Sequence, residues 1–254
     1  MRHFWAVLIC VVGGSTMAAP SYAQLPESAI VAAISAEDRL ARDLLRDSTR
    51  HPQAVLTFFD VAPGQRVLDL FSGGGYYSEL LARVVGEEGS VVVHNNQAYL
   101  PYAKQELLER DYATRMDNVE LLISEADDLT LAPSSFDRIF FILGFHDMFY
   151  QEPGWPRINS ERLLAHLFAS VKPGGLVAII DHDAPKGSTV DTAQSLHRLA
   201  KEHVMRSMLV AGFEWVGSLA VLENPDDAML VSAFDQSVKG KTNRYVLKFR
   251  RPKI

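Results

Sequence analysis

Apolar residues along this chain fall into two rhythms, compact runs and longer stripes at helical spacing. The runs Val67–Leu70, Val91–Val93, Val119–Ile123, Phe136–Leu143 and Leu176–Ile180 are bounded by glycine or polar residues. Such runs read as strands buried on both faces of a parallel sheet. Between them lie Tyr77, Leu80, Leu81, Val84 and Val85 stopping at Gly86, then Leu100, Ala103 and Leu107. A third stripe, Leu163, Leu164, Leu167, Phe168 and Val171, stops at Lys172-Pro173-Gly174-Gly175. These predict amphipathic helices, the first and third ended by glycine or Pro-Gly.

The flanks add five further elements. Leu25 to Thr49 reads as one helix, with Leu40, Ala41, Leu44, Leu45 and Ser48 on its apolar face. Pro52 opens a short helix carrying Val55, Phe58 and Phe59, closed by Pro63-Gly64. This N-terminal pair is expected to lie as a lid across the C-terminal edge of the sheet. A long helix carries Leu196, Leu199, Ala200, Val204 and Met208 towards Gly212, and Phe213 to Leu222 reads as a strand. After a polar stretch, Tyr245, Leu247 and Phe249 alternate with Arg244, Lys248 and Arg250, the pattern of a half-exposed antiparallel strand. Strands alternating with helices predict right-handed βαβ units. The expected fold is α/β: a Rossmann-like, open, mainly parallel seven-stranded sheet with helices on both faces and the last strand antiparallel.

Composition narrows the function classes. With 254 residues, 48% hydrophobic and 22% charged, the chain suits one globular domain with a sizeable core. A net charge of -6 without long like-charge blocks argues against nucleic acid as a partner.

The start of the chain reads as a signal peptide over residues 1–23. Arg2 and His3 precede the apolar run Phe4–Val12, and Ser21-Tyr22-Ala23 fits a small-x-small cleavage site. The run is too short to span a bilayer, so no stable membrane insertion is expected after cleavage. Residues 24–254 then form a single domain, helical over 25–63 and sheet core over 64–254, in an exported, periplasmic protein. The alternative is an uncleaved amphipathic start. Cys10, the only cysteine, follows Ile9 rather than a small residue, which argues against lipid attachment. A cleaved chain would hold no thiol for a disulfide, metal or nucleophile.

In open α/β sheets ligands bind beyond the carboxyl ends of the strands. Those ends carry Asp69 with Gly73, Gly74 and Gly75, then Asn95, Glu125 with Ala126, His146 with Asp147, and Asp181 with His182. Strand, glycine turn and helix bring a ligand onto backbone N–H groups and a helix N-terminus.

On these residues the chain resembles the class I S-adenosylmethionine-dependent methyltransferases, from about Ala54 to Gly212. Asp69-Leu70-Phe71-Ser72-Gly73-Gly74-Gly75 matches the family's acidic-x-Gly-x-Gly-x-Gly signature, with Phe71 replacing the first glycine. Ser124-Glu125-Ala126-Asp127-Asp128-Leu129 resembles Gly-Asp-Ala-x-x-Leu, and Phe136-Asp137-Arg138-Ile139 and Val171-Lys172-Pro173-Gly174-Gly175 resemble the approaches to the fourth and fifth strands. Gly73-Gly74-Gly75-Tyr76-Tyr77, His146-Asp147, Asp181-His182, Ser195-Leu196-His197-Arg198, Asn224-Pro225-Asp226-Asp227 and Gly240-Lys241-Thr242 are similar to a group of exported predicted methyltransferases.

The resemblance implies S-adenosylmethionine as cofactor and a small-molecule methyl acceptor. Asp69 and the Gly73–Gly75 backbone would face the methionine part. Asn95 would take the ribose hydroxyls, where the family usually has an acid. Glu125 would accept from the adenine amino group, and the Ala126 N–H would donate to the ring. Each has a plainer reading, as a cap, a turn residue or a solvated loop acid.

Methyl transfer from a sulfonium needs alignment and, for some acceptors, a base. His146 is the leading candidate for general base or substrate orienter, with Asp147 orienting it and His182 second. Either histidine could instead only bond a neighbouring loop. Asp147, Asp181 and Asp183 also stand where catechol-type methyltransferases place magnesium, a hard cation that takes oxygen ligands, but no metal is assigned. Tyr76, Tyr77, Tyr102 and Trp155 near the cleft read as packing residues. His197 and His203 lack the i,i+4 spacing of a helical metal pair.

Two other functions compete. A nicotinamide oxidoreductase would need a third glycine where Ser78 stands and an acid where Asn95 stands. A non-catalytic nucleoside-binding protein is compatible with export and with the neutral Asn95.

Overall fold

The computed structural model describes Met1 and residues 26–253. Apart from Met1, the expected leader therefore lies outside the described residues. The chain opens with α1 (Pro26–Ile34), α2 (Ala41–Arg50) and α3 (Pro52–Phe58). The core follows as β1 (Arg66–Leu70), α4 (Tyr76–Val85), β2 (Ser90–Asn95), α5 (Leu100–Arg110), α6 (Tyr112–Arg115), β3 (Val119–Ile123) and β4 (Phe136–Ile142). It ends with α7 (Ser160–Ser170), β5 (Val171–His182), α8 (Asp191–Leu196), α9 (Lys201–Val210), β6 (Glu214–Ser218) and β7 (Arg244–Arg250).

The seven strands form one sheet in the order β3-β2-β1-β4-β5-β7-β6. Pairing is parallel from β3 through β5, and β7 runs antiparallel to both β5 and β6. The chain works outward from β1 to β3 and then crosses back to β4. That reversal makes the gap between β1 and β4 the switch point where such sheets bind ligands.

Alternation along the strands assigns each face. Val67, Val91, Val93, Phe140, Ala178 and Ile180 pack under α1, α3 and α4. Leu68, Leu70, Ile139, Phe141, Val177 and Ile179 pack under α7 and α9. Burial of both faces explains the near-continuous apolar runs of β1, β4 and β5.

Four expected elements differ. Leu25–Thr49 is not one helix but α1 and α2. The turn between them is fixed by Arg39, whose guanidinium donates to the Ile34 carbonyl and, through both terminal nitrogens, to the Asp47 carboxylate at 2.7 and 2.8 Å. α2 also faces the opposite way from its apolar stripe. Leu44 and Leu45 are exposed while Asp43 is buried. Burying Asp43 is tolerable because the wholly buried Arg110 guanidinium lies 2.8 Å away.

The final strand is interior rather than half-exposed, flanked by β5 and β6. Its cations reach helix ends: Arg244 donates to the Thr49 carbonyl of α2 and Lys248 to the Phe58 carbonyl of α3. Both satisfy carbonyls at helix C-termini, which the helix dipole favours. The expected strand over Phe213–Leu222 ends at Ser218 and is followed by a tight turn over Ala220–Leu222.

The predicted long helix is also broken, between α8 and α9. His197 adopts φ 50° there, and the Leu199 N–H donates to the His182 carbonyl. Arg198 in the break is buried and paired with Asp227 at 2.9 Å. This break turns His197 towards the end of β4.

Candidate active site

β1 runs directly into the glycine turn at the switch point. Phe71, standing where the signature has glycine, adopts φ 51°. That region is costly for an aromatic residue, of order 1–3 kcal/mol. Stacking of its ring on Tyr99, with centroids 5.0 Å apart and planes 12° apart, offsets part of this. Leu143, just past β4, has φ 57°, so both central strands end in strained backbone facing the same cleft.

The back of the turn is pressed against α5 and α6. A Cβ at Gly75 would come within 2.3 Å of the Tyr112 hydroxyl, and Gly75 also has φ 79°. Both facts restrict the position to glycine. Arg110 Nε donates to the Gly74 carbonyl, and its Nη1 pairs with Glu79 at 2.7 Å. Gly75 therefore acts in the support of the turn and does not line the cavity.

The front of the turn opens on a cavity of about 200 Å³ lined by Asp69, Gly73, Gly74, Arg46, Arg50 and Leu143, among others. A Cβ at Gly73 would meet nothing within 4 Å, so this backbone is open to a ligand. Asp69 is 2% exposed and accepts a hydrogen bond from the Ser78 hydroxyl at 2.6 Å. Burial pushes its carboxyl up to about 7, against the opposing Ser78 hydrogen bond and the Arg110 and Arg50 charges.

Arg46 and Arg50 belong to α2. Arg46 pairs through two nitrogens with Glu106, at 2.9 and 2.8 Å. Arg50 lies over the Tyr76 ring at 4.4 Å, and its guanidinium has no acceptor among the described residues. The lid helix therefore contributes an unspent cation to the cavity. Sequence reasoning missed both arginines. The signal is Arg42, Arg46 and Arg50 at every fourth position, opposite the apolar stripe of Leu44 and Leu45.

The ends of β2 and β3 correct the expectations for the nucleoside side. Asn95 is wholly buried and does not line the cavity. Its side chain accepts from the Gly73 N–H at 2.9 Å and donates to the Gly73 carbonyl and the Ser72 hydroxyl. An amide can satisfy both the donor and the acceptor of the turn, which a carboxylate cannot. Neighbouring His94 bridges the Phe71 N–H and the Ser124 carbonyl, and burial lowers its pKa to about 4. Ala126 is wholly buried in the core beneath α7, and neither it nor Glu125 lines the cavity.

Past β4, His146 and Asp147 do come together, with Asp181. His146 Nδ1 lies 2.8 Å from Asp181 and Nε2 lies 3.2 Å from Asp147. Burial opposes charge on the imidazole, but the two carboxylates outweigh it and raise the pKa to about 9. With both nitrogens engaged and 2% exposure, His146 is not an accessible base. His182 bonds Thr242 at 2.7 Å, and burial drives its pKa down to about 3, too low for a base near neutrality. Tyr99 joins this cluster to the cavity: its ring lines the cavity and its hydroxyl donates to Asp147.

The oxygen-only magnesium arrangement does not form. Asp181 accepts from the His146 and His182 N–H groups as well as from His146 Nδ1. Asp183 turns away to accept from the N–H groups of Ala184 and Lys201.

Comparison with known proteins decides the family. The methyltransferase domain family matches residues 62–224. The chain belongs to the methyltransferase domain family. It is 28% identical over 138 residues to the ubiquinone/menaquinone biosynthesis C-methyltransferase UbiE of Teredinibacter turnerae, covering 54% of this chain and 51% of that protein. To UbiE of Serratia proteamaculans it is 30% identical, covering 56% and 53%. The chain thus spans about half the length of these relatives.

Among solved structures, a SAM-dependent methyltransferase from Aquifex aeolicus aligns with TM-score 0.57 and 24% identity, covering 82% of this chain and 95% of that one. Phosphoethanolamine N-methyltransferase 2 of Haemonchus contortus, in complex with S-adenosyl-L-methionine, aligns with TM-score 0.56 and 16% identity, covering 89% and 57%. These neighbours share the fold. S-adenosylmethionine is the cofactor of this methyltransferase family, and the nicotinamide reading falls.

The residues present fit the cofactor at its amino-acid end. Its carboxylate matches the unspent Arg50 guanidinium, and its ammonium matches Asp69 and the open Gly73 backbone. Tyr99 offers a ring face along the same wall.

Proposed function

We propose that this chain is an S-adenosylmethionine-dependent methyltransferase acting on a small-molecule acceptor. The observation that carries the reading is the pairing of Arg50 and Asp69 in one cavity beside open glycine backbone at the sheet's switch point. A cation and an anion so placed match the two charges of an α-amino acid, and Arg binds carboxylates in a bidentate fork.

Bound there, the cofactor supplies a methyl group activated for in-line displacement from sulfonium. Arg50 and Asp69 fix its amino-acid end. Arg110, Tyr112 and Asn95 hold the turn rigid from behind, so its N–H groups keep one geometry. Leu143 and Tyr99 give one side of the cavity an apolar wall. Alignment of this kind contributes through lost translational and rotational freedom rather than through proton transfer.

Calorimetry with S-adenosylmethionine, S-adenosylhomocysteine and NADH tests the reading. The first two bind and NADH does not; binding of NADH alone would overturn it. Binding without methyl transfer to any acceptor would favour the non-catalytic alternative.

The reading includes export to the periplasm, supported by the Arg2-His3 start, the Phe4–Val12 run and Ser21-Tyr22-Ala23. Protein recovered from a periplasmic fraction would begin at Gln24. A chain found in the cytoplasm with Met1 intact would remove this part.

A further inference from the structure

Beside the cavity, beyond the end of β4, three side chains converge, one of them remote in sequence from the other two. His146 and Asp147 come from the turn after β4, and His197 from the break between α8 and α9. One ligand-capable atom from each lies within 4.8 Å of the other two. The His146 and His197 rings meet edge to face, with centroids 5.7 Å apart.

We propose that His146, Asp147 and His197 form a binding site for one divalent cation of the zinc class. Two imidazoles and one carboxylate make a borderline donor set, which suits zinc and its neighbours rather than magnesium or calcium.

The surroundings are those of a prepared ligand set. Asp181 accepts from His146 Nδ1 at 2.8 Å, which leaves Nε2 aimed at Asp147 Oδ1, where a cation would take the place of the proton between them. A carboxylate behind a histidine ligand is the usual device for fixing tautomer and ring orientation. The Tyr99 hydroxyl holds the second oxygen of Asp147, leaving the first, Oδ1, facing His146 Nε2 at 3.2 Å. His197 Nδ1 is buried and has no hydrogen-bond partner among the described residues. A buried ring nitrogen without a partner is costly, and a metal ion would satisfy it or release it by turning the ring.

The backbone supports the same conclusion. His197 is held at φ 50°, and the adjoining Arg198 is anchored in a buried ion pair with Asp227. The Leu199 N–H bond to His182 ties the break to the end of β5. Three protein ligands leave a fourth tetrahedral position open, the arrangement of sites that take water or a substrate atom. Tyr99, which lines the cavity and bonds Asp147, links the cluster to the cavity wall.

This inference does not rest on the methyl-transfer reading, because metal content can be measured without cofactor or acceptor. The test uses the whole chain, stripped with a chelator and titrated with Zn²⁺ by calorimetry, with bound metal counted by elemental analysis. One Zn²⁺ per chain is expected, with Mg²⁺ at the same concentration failing to bind. His197→Asn keeps a residue that tolerates the left-handed turn, and weakens Zn²⁺ binding by at least about tenfold. Asp181→Asn, which removes the carboxylate behind His146 while keeping all three ligands, weakens it about 10- to 100-fold. Thermal melts establish that each variant is folded, and Co²⁺ absorption reports whether nitrogen ligands surround the metal. Absence of stoichiometric Zn²⁺ in the parent chain overturns the proposal, as does binding that His197→Asn and Asp181→Asn both leave unchanged. Preference for Mg²⁺ would overturn the assigned cation class.

Discussion

The ends of β1 and β2 lie side by side in the sheet, and both carry polar residues singled out by the sequence. They differ in whether those residues are spent. At β2, His94 and Asn95 use every polar atom named above on the neighbouring turn and loop. At β1 and the overlying α2, the Asp69 carboxylate is held only by Ser78, and the Arg50 guanidinium has no acceptor among the described residues. Position at a strand end is therefore not evidence of ligand contact. Unsatisfied capacity beside open backbone is the better guide, since buried polar groups otherwise find partners.

The largest effect in this comparison comes from the buried support between the two ends. Arg110→Ala would remove the wholly buried guanidinium shared by Asp43 and Glu79, leaving Asp43 only Arg46 at 3.4 Å while Glu79 keeps Arg83 and Arg115, and is expected to cost about 3 kcal/mol in denaturant unfolding. A cost below about 1 kcal/mol would mean that water reaches the pair.

The next largest effect separates β1 from β2 directly. Asp69→Asn keeps an acceptor for Ser78 but removes the charge, and is expected to weaken S-adenosylmethionine binding about 100-fold by calorimetry. Arg50→Ala should weaken it about 10- to 100-fold, yet leave binding of 5′-methylthioadenosine, which lacks the amino-acid end, unchanged. Equal losses for both ligands would move Arg50 out of the cofactor site.

A smaller effect follows from the Asp69 pKa near 7. A cationic ligand favours the carboxylate, so affinity should fall as pH drops below about 7 and level off above it. The stability of the ligand-free protein should move the other way. The folded state holds the Asp69 proton more tightly than the unfolded chain, so this contribution declines as pH rises from the ordinary carboxylate range towards 7. In Asp69→Asn both dependences should flatten. Persistence of the affinity profile in that variant would assign it to another group.

The smallest binding effect is expected at Asn95. Asn95→Ala should lower the melting temperature, because the Gly73 N–H loses its buried partner at about 1–3 kcal/mol. Affinity should change only a few-fold, through loosening of the turn. A loss as large as that of Asp69→Asn would restore Asn95 as a direct ribose contact.

Much of the fold was legible from local pattern. Unbroken apolar runs and helical stripes specify β1, α4, β4 and α7 because burial on two faces or one imposes those periods. The errors cluster where buried ion pairs replace apolar contact. Leu44 and Leu45 marked the wrong face of α2 because Asp43 is buried against Arg110, a residue 67 positions on. Lys248 and Arg244 suggested an exposed strand, although both cap helix carbonyls in the interior. The break at His197 carried no glycine or proline to announce it.

The chain by itself determined the order of strands and helices, the glycine turn, and Asp69 at its start, because these follow from periodicity and backbone permissiveness within a few residues. Only the tertiary structure decided which polar groups remained available. It spent Asn95 on the turn, enclosed His146 between two carboxylates, turned α2 so that Arg50 faces the cavity, and brought His197 to His146 across a broken helix. The reason is that pairing among buried charges depends on distances through space, and those distances are set by packing between segments far apart in the chain.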